Sequence, residues 1–92
     1  MDKVARGNRA KEMLKDDIFN EAFDHIRENL LGMFENSDAQ DSKGRERAWL
    51  QMNALKEVHR YFQIIADEGT MESAINEEKE KRSKLNLAVS NF

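Results

Sequence analysis

An all-α fold is predicted for this 92-residue chain, and three observations predict it. The sequence has no proline and only four glycines, so it nearly lacks the residues that punctuate β-rich chains. Apolar residues recur every three or four positions over two long stretches, which is the period of a helix face. Between those stretches lies one polar segment, "ENSDAQDSKG", rich in side chains that bond to nearby backbone and so favour caps and turns. The expected architecture is a long antiparallel helical hairpin plus a shorter C-terminal helix, in an oligomeric protein.

The first helix is predicted over residues 10–34. Leu14, Ile18, Ala22, Ile26, Leu30 and Phe34 recur every four residues, and Phe19, Phe23, Leu31 and Met33 widen the stripe. Ser37 or Ser42 is expected to cap the second helix. In that helix Trp49, Met52, Leu55, Val58, Phe62 and Ile65 follow spacings of three and four, with Ala48, Tyr61, Ile64 and Ala66 beside them. Gly69 is expected to end it in a left-handed conformation. At 1.5 Å per residue each helix would be roughly 35 Å long, and matched lengths joined by a polar loop read as a hairpin.

A third helix is predicted from Thr70 as its cap, carrying Met71, Ala74 and Ile75. Beyond it "NEEKEKRSK" is charged on every side and reads as solvated, whereas "LNLAVSNF" returns to apolar character and is expected to dock on a neighbour. The organisation expected is a basic N-terminal arm over 1–9, a helical hairpin domain over 10–75, and a charged segment with an apolar tail over 76–92.

Composition removes several function classes. Without cysteine there is no disulfide, no thiolate nucleophile and no cysteine-ligated zinc. His25 and His59 fall in different helices, neither in an HExxH arrangement, and "GNRAKE" lacks the second glycine and the Gly-Lys-Ser/Thr ending of a phosphate loop. No catalytic residue, metal site or cofactor is predicted, and the chain is not expected to be an enzyme. No run approaches the roughly 20 apolar residues of a membrane span, and the first residues lack the apolar core of a secretory signal. A location inside the producing cell, away from membranes, is expected.

The apolar faces are broader than one hairpin can bury, and exposed apolar surface marks interfaces. Small domains without covalent staples also gain stability by oligomerising. Phe19, Phe23, Trp49, Tyr61, Phe62, Leu87, Val89 and Phe92 are therefore the candidates for contact with another copy or an obligate partner. The alternative is a third helix that folds back to complete a monomeric three-helix bundle.

Charge is uneven: residues 1–15 carry a net +3 and residues 16–41 a net −7, within a total of −3. Arg6, Arg9, Lys11 and Lys15 are candidate nucleic-acid contacts, since clustered cations release counterions from phosphate. The competing reading is a solubilising arm, and no helix-turn-helix spacing accompanies the cations. Arg45, Arg47, Lys56 and Arg60 could extend a basic stripe, but Glu46 and Glu57 partly cancel it.

The order "GNRAKEML", "FNEAFDHI", an acidic turn, "RERAWLQMNALKEV" and "IIADEGTMESAI" resembles small helical proteins encoded among the virion and DNA-packaging genes of tailed bacteriophages and prophages. The resemblance spans residues 7–75. It rests on Gly7 and Ala10, Phe19 and Ala22, Arg45 and Glu46, and Gly69 followed by Ala74. It implies a non-catalytic part in capsid morphogenesis or genome packaging, in the cytoplasm of a bacterial host or incorporated in the virion, with other virion or packaging proteins as further partners. Small terminase subunits are similar in size, helical content and ring formation, but this chain departs from them in lacking a clear N-terminal DNA-binding helical domain. A phage-made inhibitor of a host protein, acting through the acidic face over residues 16–41, is a further alternative.

Overall fold

The computed structural model describes residues 2–90, and these form three helices and no strand: α1 over Lys3–Lys15, α2 over Asp17–Glu35 and α3 over Ser42–Ser90. The predicted all-helical class holds. Phe92 lies outside the described residues.

Two aspartates set the early helix starts. Asp2 accepts from the Ala5 amide at 2.7 Å, so residues 3–9 of the stretch expected as a basic arm form the first two turns of α1. Asp16 interrupts the single helix expected over 10–34. Its own amide donates to the Met13 carbonyl at 3.1 Å, closing α1, while its carboxylate accepts from the Phe19 amide at 2.8 Å, opening α2. Its ψ of 128° turns the chain there. Asn20 Nδ2 donates to the Leu14 carbonyl at 2.9 Å, satisfying one of the carbonyls left over at the end of α1. A short polar side chain wins here because it offers the backbone a bond that competes with helix continuation.

Neither predicted serine caps α3. Ser37 Oγ donates back to the Phe34 carbonyl at 2.7 Å, and Asp41 accepts from the Gly44 amide at 3.0 Å. Arg45, read from the sequence as part of a basic stripe, is half-buried and donates to the carbonyls of Asp38 and Ala39, tying the turn to α3.

The largest correction concerns Gly69 and Thr70. No described glycine has positive φ, and α3 runs through both residues as a 49-residue helix, with Thr70 Oγ1 donating to the Ala66 carbonyl at 3.2 Å. Gly69 is required for closeness rather than for a turn: a Cβ on it would sit 2.7 Å from the Gly7 Cα, and one on Gly7 would sit 2.6 Å from the Gly69 Cα. Two facing glycines let α1 and α3 touch backbone to backbone.

Phe19 meets Phe62 with ring centroids 5.1 Å apart, and Phe23 meets the His59 ring at 5.5 Å. Partner numbers fall along α3 as numbers rise along α1 and α2, so both run antiparallel to α3, one after the other. On α3 the buried and half-buried positions Arg45, Ala48, Met52, Leu55, His59, Phe62, Ala66 and Gly69 alternate spacings of three and four, with Gly44, Asn53, Ile65 and Glu72 half-buried beside them. That is a 3.5-residue repeat, the geometry of a coiled-coil seam. The next positions in the same register are Ser73, Asn76, Glu80 and Ser83, so the seam turns polar where α1 begins.

The molecule measures 80 × 24 × 19 Å with a radius of gyration of 21.9 Å. A compact domain of this length would have about 12 Å. At 1.5 Å per residue α3 alone accounts for about 74 Å. The elongated shape is consistent with a helical hairpin carrying a long extension. The C-terminal segment does not fold back into a three-helix bundle, and every described side chain over residues 73–89 is exposed.

Candidate protein interface

The core that holds these helices together is small. Besides Gly7 and Gly69, the buried residues among those described are Ala10, Phe23, Leu30, Ala48 and Ala66, and only two of these have large side chains. Burying one Leu or Phe contributes roughly 1.5–3 kcal/mol, whereas ordering each residue's backbone costs about 1–2 kcal/mol. The accessible surface is 7679 Å². A compact protein of 10.7 kDa would expose about 5,500 Å².

The predicted interface residues divide into two groups. Phe19, Phe23 and Phe62 pack against one another inside the chain, with Phe19 and Phe23 ring centroids 4.8 Å apart, so they are committed to the α2–α3 contact. Trp49, Tyr61, Leu87 and Val89 remain exposed on α3. The structure adds Leu50, Ile64, Met71, Ile75 and Leu85 to this exposed set. The sequence places Met71 and Ile75 on a separate third helix beyond Gly69; because α3 is continuous, they instead follow Tyr61 and Ile64 at helical spacing on one element.

The predicted nucleic-acid contacts are not gathered on one surface. Arg6 and Arg9 line a shallow groove with Ala10, Met13, Phe62 and Ile65, and Arg6 donates to the Tyr61 hydroxyl at 3.2 Å. Lys11 and Lys15 lie at least about 120° round α1 from either arginine, at 100° per residue. The buried Gly7–Ala10 face of the helix separates the two pairs on one side.

Catalytic geometry is equally sparse. His59 packs edge-on against Phe23, and His25 Nε2 lies 3.3 Å from Asn29 Nδ2 on the exposed side of α2, beside Asp17, Glu21, Asp24 and Glu28. No group of three or more His, Cys, Asp or Glu among the described residues could hold a metal ion. An open groove of about 360 Å³ runs beside Met52, Leu55 and His59 and is rimmed by Arg27, Lys56 and Arg60. Among the described residues no helix is long and apolar enough to cross a membrane.

No protein-family model, no curated protein and no solved structure matches the chain.

Proposed function

We propose that this chain is a non-catalytic assembly protein that acts through helix-mediated self-association, in capsid morphogenesis or genome packaging of a tailed bacteriophage. The observation that carries the self-association is the state of α3. Its seam residues are covered by α1 and α2, while Leu50, Tyr61, Ile64, Met71, Ile75 and Leu85 are exposed on another face along its length. Exposed apolar residues arranged along one helix are the signature of a surface that meets another helix.

The phage setting rests on the resemblance over residues 7–75 and carries with it a location in the host cytoplasm or the virion. Other virion or packaging proteins would dock on the assembled form. Direct DNA binding is the weaker branch, because the two arginines and the two lysines of α1 face different ways.

The test is the native mass of the purified chain over a range of concentrations, at low and moderate salt, paired with a DNA mobility-shift titration. A defined oligomer at moderate salt and no shift at low salt are expected. A monomer at every concentration would contradict self-association, and a tight salt-dependent shift would move the reading to a DNA-binding packaging component.

A further inference from the structure

A second stripe runs along α3 on the face away from the seam. It begins at Leu50 and proceeds by alternating steps of four and three residues to Val89, and every position on it is exposed. Of its twelve positions eight are apolar; the others are Glu57, Glu68, Glu78 and Arg82. Tyr61 is 56% exposed, Met71 65% and Ile75 44%. Like the covered seam it keeps a 3.5-residue repeat, so a second helix could follow it without drifting off.

The stripe is its own complement when reversed. Turned about a two-fold axis between Gly69 and Thr70, it sets Leu50 opposite Val89, Ala54 opposite Leu85 and Ile64 opposite Ile75. The same operation sets Glu57 opposite Arg82 at both ends of the stripe, and Glu78 opposite Tyr61, whose hydroxyl already accepts from Arg6 at 3.2 Å. Glu68, opposite Met71, is the one charge this register does not match. A parallel pairing in register would instead oppose Glu57, Glu68, Glu78 and Arg82 each to its own copy, which is repulsive at four levels. The antiparallel pairing also lays the exposed residues 73–89 of each α3 along the packed half of the other.

Resting on the self-association reading, we infer that a second copy of this chain docks on this stripe, α3 against α3 and antiparallel, in the register that pairs Glu57 with Arg82. Closed two-fold contacts of this kind are self-complementary, as this stripe is. The chain exposes roughly 2,200 Å² more than a compact protein of its mass would, and stable interfaces cover about 800 Å² per partner. There is surface enough for the contact.

The absence of cysteine allows a clean test. Ile64→Cys and Ile75→Cys are made as separate variants of the full chain, co-refolded in mixture or kept apart, oxidised mildly and run without reductant. In the inferred register residues 64 and 75 face each other, while the two copies of residue 64 lie about 16 Å apart along the axis, beyond disulfide reach. The expected result is a crosslinked dimer in the mixture and none in either variant alone. Crosslinking within one variant alone would mean a parallel pairing or an antiparallel one centred elsewhere, and either would overturn the inference. No crosslink in a mixture whose native mass is nonetheless oligomeric would put the contact elsewhere and overturn the inference while leaving self-association standing. A monomeric native mass would overturn both. As a second variant set, Glu57→Arg or Arg82→Glu alone should raise the dimer dissociation constant about tenfold, and the double exchange should restore it. Equal weakening in the double exchange would contradict the register.

Discussion

Gly7 and Gly69 are the residues on which the contact between α1 and α3 depends. Alanine at either position gains about 1 kcal/mol of helix propensity but puts a methyl group into backbone that cannot step aside, and overpacking costs roughly 1–3 kcal/mol. Gly7→Ala and Gly69→Ala are therefore expected to lower stability by up to about 2 kcal/mol. Gly32, with nothing within 4 Å of its would-be Cβ, provides the control. Gly32→Ala should raise stability by roughly 0.5–1 kcal/mol. Urea unfolding at one fixed protein concentration compares the three, and a gain from all of them would mean that the glycines do not face each other. Asp16 is the other sensitive position. Asp16→Ala removes the side chain that receives the Phe19 amide and should cost about 1 kcal/mol, while Asp16→Asn should be nearly neutral, as caps of both kinds serve equally well.

At the scale of elements, the seam on α3 decides how far the helices pack. Its register passes from Phe62, Ala66 and Gly69 to Ser73, Asn76 and Glu80, and an isolated helical stretch of this length is marginal in water. The Glu78–Arg82 pair, 3.2 Å long and exposed at both ends, contributes only about 0.3–0.5 kcal/mol. A chain ending at Asn76 should keep the α1–α2–α3 packing and lose helical signal only in proportion to the residues removed, while the proposed self-association should be lost; circular dichroism and native mass check both. The helical class and the loop at 36–41 were legible in the sequence because periodicity and turn-forming residues are local signals. The break at Asp16 was less so, since Leu14, Ile18 and Ala22 keep their four-residue spacing across it; the available signal was Lys15 followed by two aspartates, a basic last turn and then a cap. Gly69 misled because a glycine after an apolar run is a common helix end, and only the position of Gly7, far away in sequence, shows that the missing Cβ is needed for contact. Of the candidate site, Trp49, Tyr61, Leu87 and Val89 were read as interface residues and are exposed, whereas Phe19, Phe23 and Phe62 are taken up within the chain. Amphipathic spacing marks a face as apolar but does not say which helix covers it.

The whole molecule is an 80 Å rod with few buried side chains among the described residues and a long helix that offers a second apolar face. Under the proposed self-association the chain gains order by covering that face, and the binding free energy then adds to the stability of the fold. Thermal unfolding should accordingly shift upward as protein concentration rises, with the shift abolished by Ile64→Asp, an exposed substitution that leaves the seam of α3 untouched. The most direct measurement is amide hydrogen exchange over residues 73–89 as a function of protein concentration. The account predicts rapid exchange in dilute protein, protection that grows with concentration, and little change over residues 45–69, which α1 and α2 already cover. Rapid exchange of residues 73–89 at every concentration would contradict it.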